Sequence, residues 1–419
     1  MKKIFLFVYV FSLFFSVQAQ TDEIKNENGD QKKPYLNLWV LIQTDVIYDL
    51  NRMDPEWTSF FRPSKIPVRP GQPGWYETEG NTFFSVRAST FKFEGIVPVN
   101  HYFDEIKLRF EFDLAGMGPY GPETGFRLRL AYGEWGHWRI GRDWSTFIDL
   151  ANFPNIYEWW GPSGMALLPT VTIRYFRDLS PHNKLELALE MPGAALDMGD
   201  IRTDNPDLDP VLEEHDFKTK EILPDFIFRY TNTGNYGYFK FMGLLRNMEY
   251  EYPSIVQGEY VQQSLFGWGI NFSTAINAWT GTFRLQGVLG EGYAGYNNDG
   301  GVDIAPVRDD DPSTPNIIEY KGVVPFQYGF TAFYDYNIGE KWSGSVGYSE
   351  TVYDNSSGQS FDAFHRSQYM VIQAIYNVVK GLDLGLNYQY GKKYEKDGTN
   401  GYDQRILFTA AYSFSRVKD

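Results

Sequence analysis

Residues 106–114, IKLRFEFDL, put Ile106, Leu108, Phe110, Phe112 and Leu114 on one parity and Lys107, Arg109, Glu111 and Asp113 on the other. A period of two sends successive side chains to opposite faces, so this is a strand with one wholly apolar face and one wholly charged face. Two architectures accept such a strand. In a secreted sandwich the apolar parity packs on a second sheet and the charged parity meets water. In a transmembrane barrel the apolar parity meets lipid and the charged parity lines an aqueous bore.

Working outward, the same alternation recurs at 35–49, 82–94, 104–114, 126–135, 137–143, 170–177, 183–191 and 223–231. It continues at 236–249, 260–275, 279–290, 324–337, 341–353, 365–378, 382–391 and 403–414, sixteen segments in all. Short links such as 180–183, 232–235 and 337–340 interleave with long ones near 50–81, 144–169, 192–222, 291–323 and 392–402. Alternating short turns and long loops around segments of about ten residues is the pattern of an up-and-down barrel in the bacterial outer membrane. Closure leaves no backbone group unpaired in hydrocarbon. An even strand count puts both termini on the periplasmic side.

Composition agrees. The 419 residues include 11 Trp, 30 Tyr, 33 Phe and 40 Gly but no Cys, with a formal charge of −15. Tyr and Trp at strand ends suit membrane interfaces and disfavour the sandwich. Lack of Cys excludes a disulfide framework and a thiolate metal site. The acidic balance argues against a nucleic-acid partner. Residues 1–19 read as a signal peptide with a basic start, an apolar stretch from Ile4 to Phe15 and Val17-Gln18-Ala19 before the cut. Residues 20–34 read as a flexible periplasmic tail, 35–414 as the barrel and 415–419 as a C-terminal tail.

The long link after the fifth segment is rich in aromatics, Gly and Pro and has no regular period. Because it must return to a neighbouring strand about 5 Å away, its length is spare. Its apolar residues, Trp144, Phe147, Ile148, Phe153, Ile156, Trp159, Met165 and Leu167, would form an exposed patch if it lay outside. It is therefore expected to fold into the bore as a constriction loop, with Asp149, Tyr157, Glu158, Trp159 and Trp160 offering acid and aromatic surface.

Taking the parity opposite the apolar face places Arg87, Lys107, Arg109, Arg127, Arg129, Arg139, Arg174, Arg229, Lys240, Arg246 and Arg284 in the lumen. The plain acids there are Asp45, Glu111, Asp113 and Asp335. The expectation is a basic bore in an acidic protein, with loop acids such as Asp149 or Glu158 facing the basic wall to set a transverse field. The competing expectation is that each Arg pairs with a carboxylate and stiffens the wall.

The run Gly141-x-x-Trp144-Ser145-Thr146-Phe147-x-Asp149, then Phe153-Pro154, Gly161-Pro162-x-Gly164-Met165 and Ile173-Arg174-Tyr175, resembles the DcaP-like family of trimeric outer-membrane porins. Phe110-Glu111-Phe112-Asp113 and Arg127-x-Arg129-x-Ala131-Tyr132 are similar to that family too. The resemblance implies a homotrimer of 16-stranded barrels, embedded in outer-membrane lipid, that passes small, preferably anionic solutes such as dicarboxylates, with no cofactor and no metal. The chain departs from the family pattern at Arg142-Asp143, where Gln-Thr is common, and at Pro169, where Arg is common. Its tail before Tyr35 is also too short for the periplasmic coiled coil of some members.

Enzyme readings are weak. Gly116-Met117-Gly118-Pro119-Tyr120-Gly121 fits a phosphate-cradle pattern but runs into Pro122 and loop instead of a helix. Five His residues show no zinc spacing. A barrel-embedded hydrolase is the alternative class, with His215-Asp216 as its best pair. An energised receptor would need a plug of over a hundred residues ahead of the barrel. The external acids, Asp197, Asp200, Asp204, Asp207, Asp209, Glu213, Glu214 and Asp216 in one loop and Asp309-Asp310-Asp311 in another, read as solvated charge. Bridging lipopolysaccharide through divalent cations is the alternative for them, although the spacing is not that of a calcium loop.

Overall fold

The computed structural model describes residues 33–99, 105–118, 121–200, 217–253, 260–309 and 319–417. Alternation becomes strand throughout: β1 (Tyr35–Asp49), β2 (Asn81–Ser85), β3 (Thr90–Pro98), β4 (Glu105–Gly118), β5 (Gly121–Trp135), β6 (Trp138–Trp144) and β7 (Pro169–Ser180). Next come β8 (Asn183–Glu190), β9 (Lys218–Lys220), β10 (Asp225–Gly234), β11 (Gly237–Pro253), β12 (Tyr260–Ala278) and β13 (Gly281–Glu291). The chain ends with β14 (Ala305–Asp309), β15 (Glu319–Val323), β16 (Phe326–Ile338), β17 (Trp342–Tyr353), β18 (Phe364–Val379), β19 (Leu382–Glu395) and β20 (Asn400–Arg416).

Neighbouring wall strands pair antiparallel, and β1 closes on β20 from Leu38↔Arg416 to Asp49↔Arg405. Both β2 and β3 pair with β1, so they are one wall strand interrupted at 86–89. β9 only extends the ladder of β11, while β14 and β15 form a separate hairpin. The wall is therefore a closed antiparallel barrel of 16 strands, one for each segment of the sequence reading.

Parity sorts the two faces. Ile372, Leu386 and Phe408 point outward and are 50, 57 and 44% exposed, whereas their inward neighbours Gln373, Asn387 and Thr409 are at most 1% exposed. Inward burial on this scale means that the bore is filled, and its filling is the segments that leave the long-loop rim. Phe147, Ile148, Tyr293 and Tyr296 form an apolar cluster with Ile227, Met242, Leu244 and Val288 of the wall. A second cluster joins Met53, Phe61 and Ile66 to Phe333, Tyr369 and Val371. Burying a side chain such as Phe147 contributes about 2 kcal/mol, which offsets the ordering of long segments.

One irregularity matters for the lumen. In the β4–β5 ladder Glu111 opposes Leu130 and Phe112 opposes Leu128, so Arg129 is the extra residue of a bulge. Parity inverts there. Below the bulge Tyr132 and Glu134 share the face of Arg109 and Lys107, their ladder partners.

Candidate functional site

The segment 145–168 runs round the inner wall, touching inward-parity groups of successive strands. Asn271 on β12 donates to the Phe147 carbonyl at 2.8 Å. Asp149 caps the turn Leu150–Asn152 through Ala151 N–H at 3.1 Å, accepts from Tyr238 at 2.8 Å and Ser273 at 2.7 Å, and pairs with Lys240. Asn152 donates to Leu285 O of β13 at 3.0 Å, and Asn155 N–H to Asp335 of β16 at 3.0 Å. Tyr157 then meets three strands: its N–H donates to Gln373 at 3.1 Å, its hydroxyl to Asp383 at 3.0 Å, and its carbonyl accepts from Gln43 at 3.0 Å. The return leg passes Gly164, whose N–H donates to Ser349 at 2.8 Å. A Cβ at Gly164 would lie 2.0 Å from Glu350 O, so only glycine lets this backbone press so closely on the wall. Ser145 N–H donating to Leu168 O at 2.9 Å closes the circuit.

Two further segments share the bore, which strand alternation marks only as long links. Glu158 is 4% exposed and accepts from the backbone N–H groups of Phe61 (3.0 Å), Trp160 (3.1 Å) and Gly161 (2.5 Å). Burial pushes its carboxyl above the ordinary range against the downward pull of those donors. Asp299 accepts from Arg62, Ser64 N–H and Ser367, each at 3.0 Å, which ties the 50–80 segment to the 292–304 segment and to β18. Asp303 accepts from Arg246 and Ala195 N–H at 2.8 Å and from Gly295 N–H at 3.0 Å. The aromatic, Pro-punctuated run Trp57–Val68 carries the same signal as 144–168 and would have marked the first of these segments.

The lumen bases differ from the expected surplus. Arg139 pairs with Glu134 (2.5 Å) and Asp143 (2.7 Å), Arg174 with Asp143 (3.2 Å), and Arg229 with Glu186 (2.6 Å). Arg246 pairs with Asp225 (2.9 Å) and Asp303, Arg284 with Asp335, Lys240 with Asp149, and Lys107 with Glu105 (3.3 Å) and Glu134 (3.8 Å). The four acids of the parity count must therefore be enlarged by Glu94, Glu134, Asp143, Glu186 and Asp225 from the wall, and by Asp149 and Asp303 from the inward segments. A guanidinium in a filled, partly dehydrated bore needs a counter-charge, and neighbouring wall strands and the inward segments supply it. Asp149 and Glu158 do not face the basic wall across a gap. One is consumed by Lys240, Tyr238 and Ser273, the other by backbone donors.

One sector departs from this neutrality. Among the described residues, Lys92, Arg109, Arg127 and Arg129 on the β3–β5 wall share three acids. Arg109 lies 3.3 Å from Glu94 and 3.6 Å from Glu111, Lys92 3.6 Å from Glu111, Arg127 2.6 Å from Asp113, and Arg129 3.0 Å from Glu111. Arg87 donates to Ala115 O at 3.2 Å and lies 5.2 Å over the Phe60 ring. Arg127 and Arg129 both stack on Trp159, at 4.7 and 4.5 Å. The ring segment thus meets this wall with an aromatic face, while it meets the opposite wall with hydrogen bonds.

Gly116 to Gly121 spans the junction of β4 and β5, a strand-to-strand link with 119–120 outside the described residues. Also outside lie residues 1–32, which include the expected leader and nearly all of the tail, as well as His215-Asp216, the acids from Asp204 to Asp216, Asp310-Asp311 and the last two residues. Asp197 accepts from Gln359 at 2.7 Å and from Gly199 N–H at 2.9 Å.

No protein-family model and no curated protein sequence matches the chain. Solved structures do. The outer-membrane channel DcaP of Acinetobacter baumannii superposes with a TM-score of 0.71 at 19% identity, covering 94% of this chain and 100% of that one. The anion-selective porin of Comamonas acidovorans gives 0.53 at 8% identity over 91% and 100%. The trimer form of OmpT from Vibrio cholerae gives 0.52 at 9% over 91% and 100%. At such identities the likeness establishes architecture: the chain has the 16-stranded barrel fold of the DcaP channel and of these outer-membrane proteins.

Proposed function

We propose that the protein is an outer-membrane porin, assembled as a homotrimer with both termini periplasmic, that passes small, preferably anionic solutes of the dicarboxylate kind by diffusion. The observation that carries this reading is the asymmetry of the bore. Hydrogen bonds fasten the 145–168 segment to strands from β12 round to β19 and β1. In this reading the passage runs along the β3–β5 wall beside Trp159, where among the described residues four bases share three acids. Conduction needs a site attractive enough to enter and weak enough to leave. Guanidinium groups that already share carboxylates fit that requirement, because an entering anion competes for hydrogen bonds instead of meeting a bare charge.

Charges within a Debye length of the constriction, about 8 to 10 Å at ordinary salt, outweigh the net charge of the whole chain. Anion preference is therefore compatible with the total of −15. Planar-bilayer recording tests the proposal: insertion in three equal current steps is expected. A silent bilayer, or hydrolysis of a lipid or peptide by the purified protein, would favour the barrel-embedded hydrolase.

A further inference from the structure

The outer face of the barrel is largely apolar among the described residues, with charge gathered near the long-loop rim at β9–β12, where Glu249 and Glu251 face Lys220 and Lys218, and at β17–β20. Phe330, an outward residue, opposes Glu350, which opposes Gln368, which opposes Lys392, which opposes Tyr402. Residues directly opposite in an antiparallel ladder share a face, so all of these point away from the bore. Arg366 lies on the same face, opposite Val352 and Tyr394. Glu350 pairs with Arg366 at 2.9 Å and accepts from Tyr348, and Gln368 donates to the Tyr348 hydroxyl at 2.8 Å. Lys392 sits 4.7 Å over the Tyr394 ring and Arg366 5.2 Å over the same ring. Among the described residues Lys392 has no carboxylate partner, and the Arg366 side chain stays 35% exposed.

Height gives this cluster its meaning. Lys392 is three residues from the end of β19 and Arg366 two from the start of β18, within about 10 Å of the long-loop rim at the usual rise per residue. Directly below, the same face carries Met370, Ile372, Leu386, Ile406 and Phe408, all more than a third exposed. A charge on the lipid-facing side of a barrel is costly at mid-bilayer and tolerated near the interface, where Tyr side chains gather. On the long-loop side elsewhere among the described residues, Arg142 stands alone between Ala131 and Val171, and Lys218 and Lys220 of β9 face Glu251 and Glu249 of β11, so they bring no excess of base over acid.

We propose that Arg366 and Lys392, framed by Tyr348, Tyr390, Tyr394 and Tyr402, bind the phosphate of an outer-leaflet lipid headgroup whose acyl chains lie along Ile372, Leu386 and Ile406. This rests on the outer-membrane reading above. Charge complementarity selects the occupant: two bases against one acid, set at headgroup height over a bare aliphatic wall, match an anionic head on apolar tails.

The test counts lipid retained by the full-length purified protein, by native mass spectrometry, after incubation with a diphosphorylated glycolipid or its dephosphorylated form. Wild type is expected to retain the phosphorylated lipid in preference. K392Q, which strands no carboxylate, should lower that preference about fivefold, and R366Q/K392Q should abolish it. E350Q should raise it. Equal retention of the two lipids by wild type, an unchanged preference in both base variants, or displacement by millimolar inorganic phosphate alone would overturn the proposal. So would dissociation of the oligomer by K392Q, which would make the sector a subunit contact. Single-channel conductance of the same preparations keeps the porin reading separate, since it should not change in any of these variants.

Discussion

Two halves of the inner wall treat charge in opposite ways. From β10 to β19 the carboxylates are spent on anchorage: Asp149 on Lys240, Tyr238 and Ser273, Asp335 on Arg284 and Asn155 N–H, Asp383 on Tyr157. On β3–β5, among the described residues, Lys92, Arg109, Arg127 and Arg129 share three acids, and Arg127 and Arg129 meet the ring segment through the Trp159 face. A buried ion pair with full hydrogen bonding fixes geometry, and removing one member strands the other. A cation shared among carboxylates and an aromatic face keeps capacity for a passing ligand. One half therefore holds the bore's contents still, and the other half is left to interact with what moves.

The largest test of this contrast removes the divider. Deleting residues 152–161 takes out the contacts of Asn152, Asn155, Tyr157 and Glu158 and should raise single-channel conductance several-fold with little loss of folded, inserted protein. Unchanged conductance would place the limiting constriction elsewhere. Next in size, neutralising Arg109, Arg127 and Arg129 together leaves Glu94, Glu111 and Asp113 without their main partners. The reversal potential in a salt gradient should move clearly toward cations. No movement would mean that these arginines only stiffen the wall.

On the anchored half, D149N removes the charge partner of Lys240 and weakens two hydroxyl contacts. A cost of about 3 kcal/mol is expected, seen as a lower unfolding temperature and noisier open-channel current, with selectivity unchanged. A selectivity shift equal to that of the triple variant would erase the distinction between the halves. Smallest of all, E158Q keeps one oxygen to accept from Phe61 and Trp160 N–H and loses the acceptor of Gly161 N–H, while removing charge from a site where burial already disfavours it. Conductance should stay within about twofold of wild type, since loss of a net hydrogen bond costs only about 1 kcal/mol.

Strand positions were legible because lipid on one side and water on the other impose period two. The segment 137–143 lies within one residue of β6, Trp138–Trp144, at both ends. Charge pairing was not legible, for three physical reasons. The bulge at Arg129 inverts parity, so Glu134 reaches Lys107 and Arg139 although a straight count faces it outward. Glu94, Glu186 and Asp225 sit near strand ends or opposite a neighbour whose register only the ladder reveals. Finally, Asp149, Asp299 and Asp303 reach wall residues 57 to 124 positions away in sequence, contacts that no local pattern encodes. The Trp57–Val68 run does not announce its place, because a loop's own composition does not say which cavity receives it. Its Phe61, fully buried, packs 6.1 Å from Tyr369 on β18.

The central claim is that solute moves along the β3–β5 wall and not along the wall covered by the ring segment. Because the natural chain has no cysteine, single thiols report on this directly. Arg127→Cys lies on the first wall and Thr331→Cys on the second, where inward Thr331 is 4% exposed and opposite Ser349, the partner of Gly164 N–H. A bulky thiol reagent added during bilayer recording should block current through the Arg127→Cys channel and leave the Thr331→Cys channel untouched. Block of the Thr331→Cys channel with no effect on Arg127→Cys would contradict it.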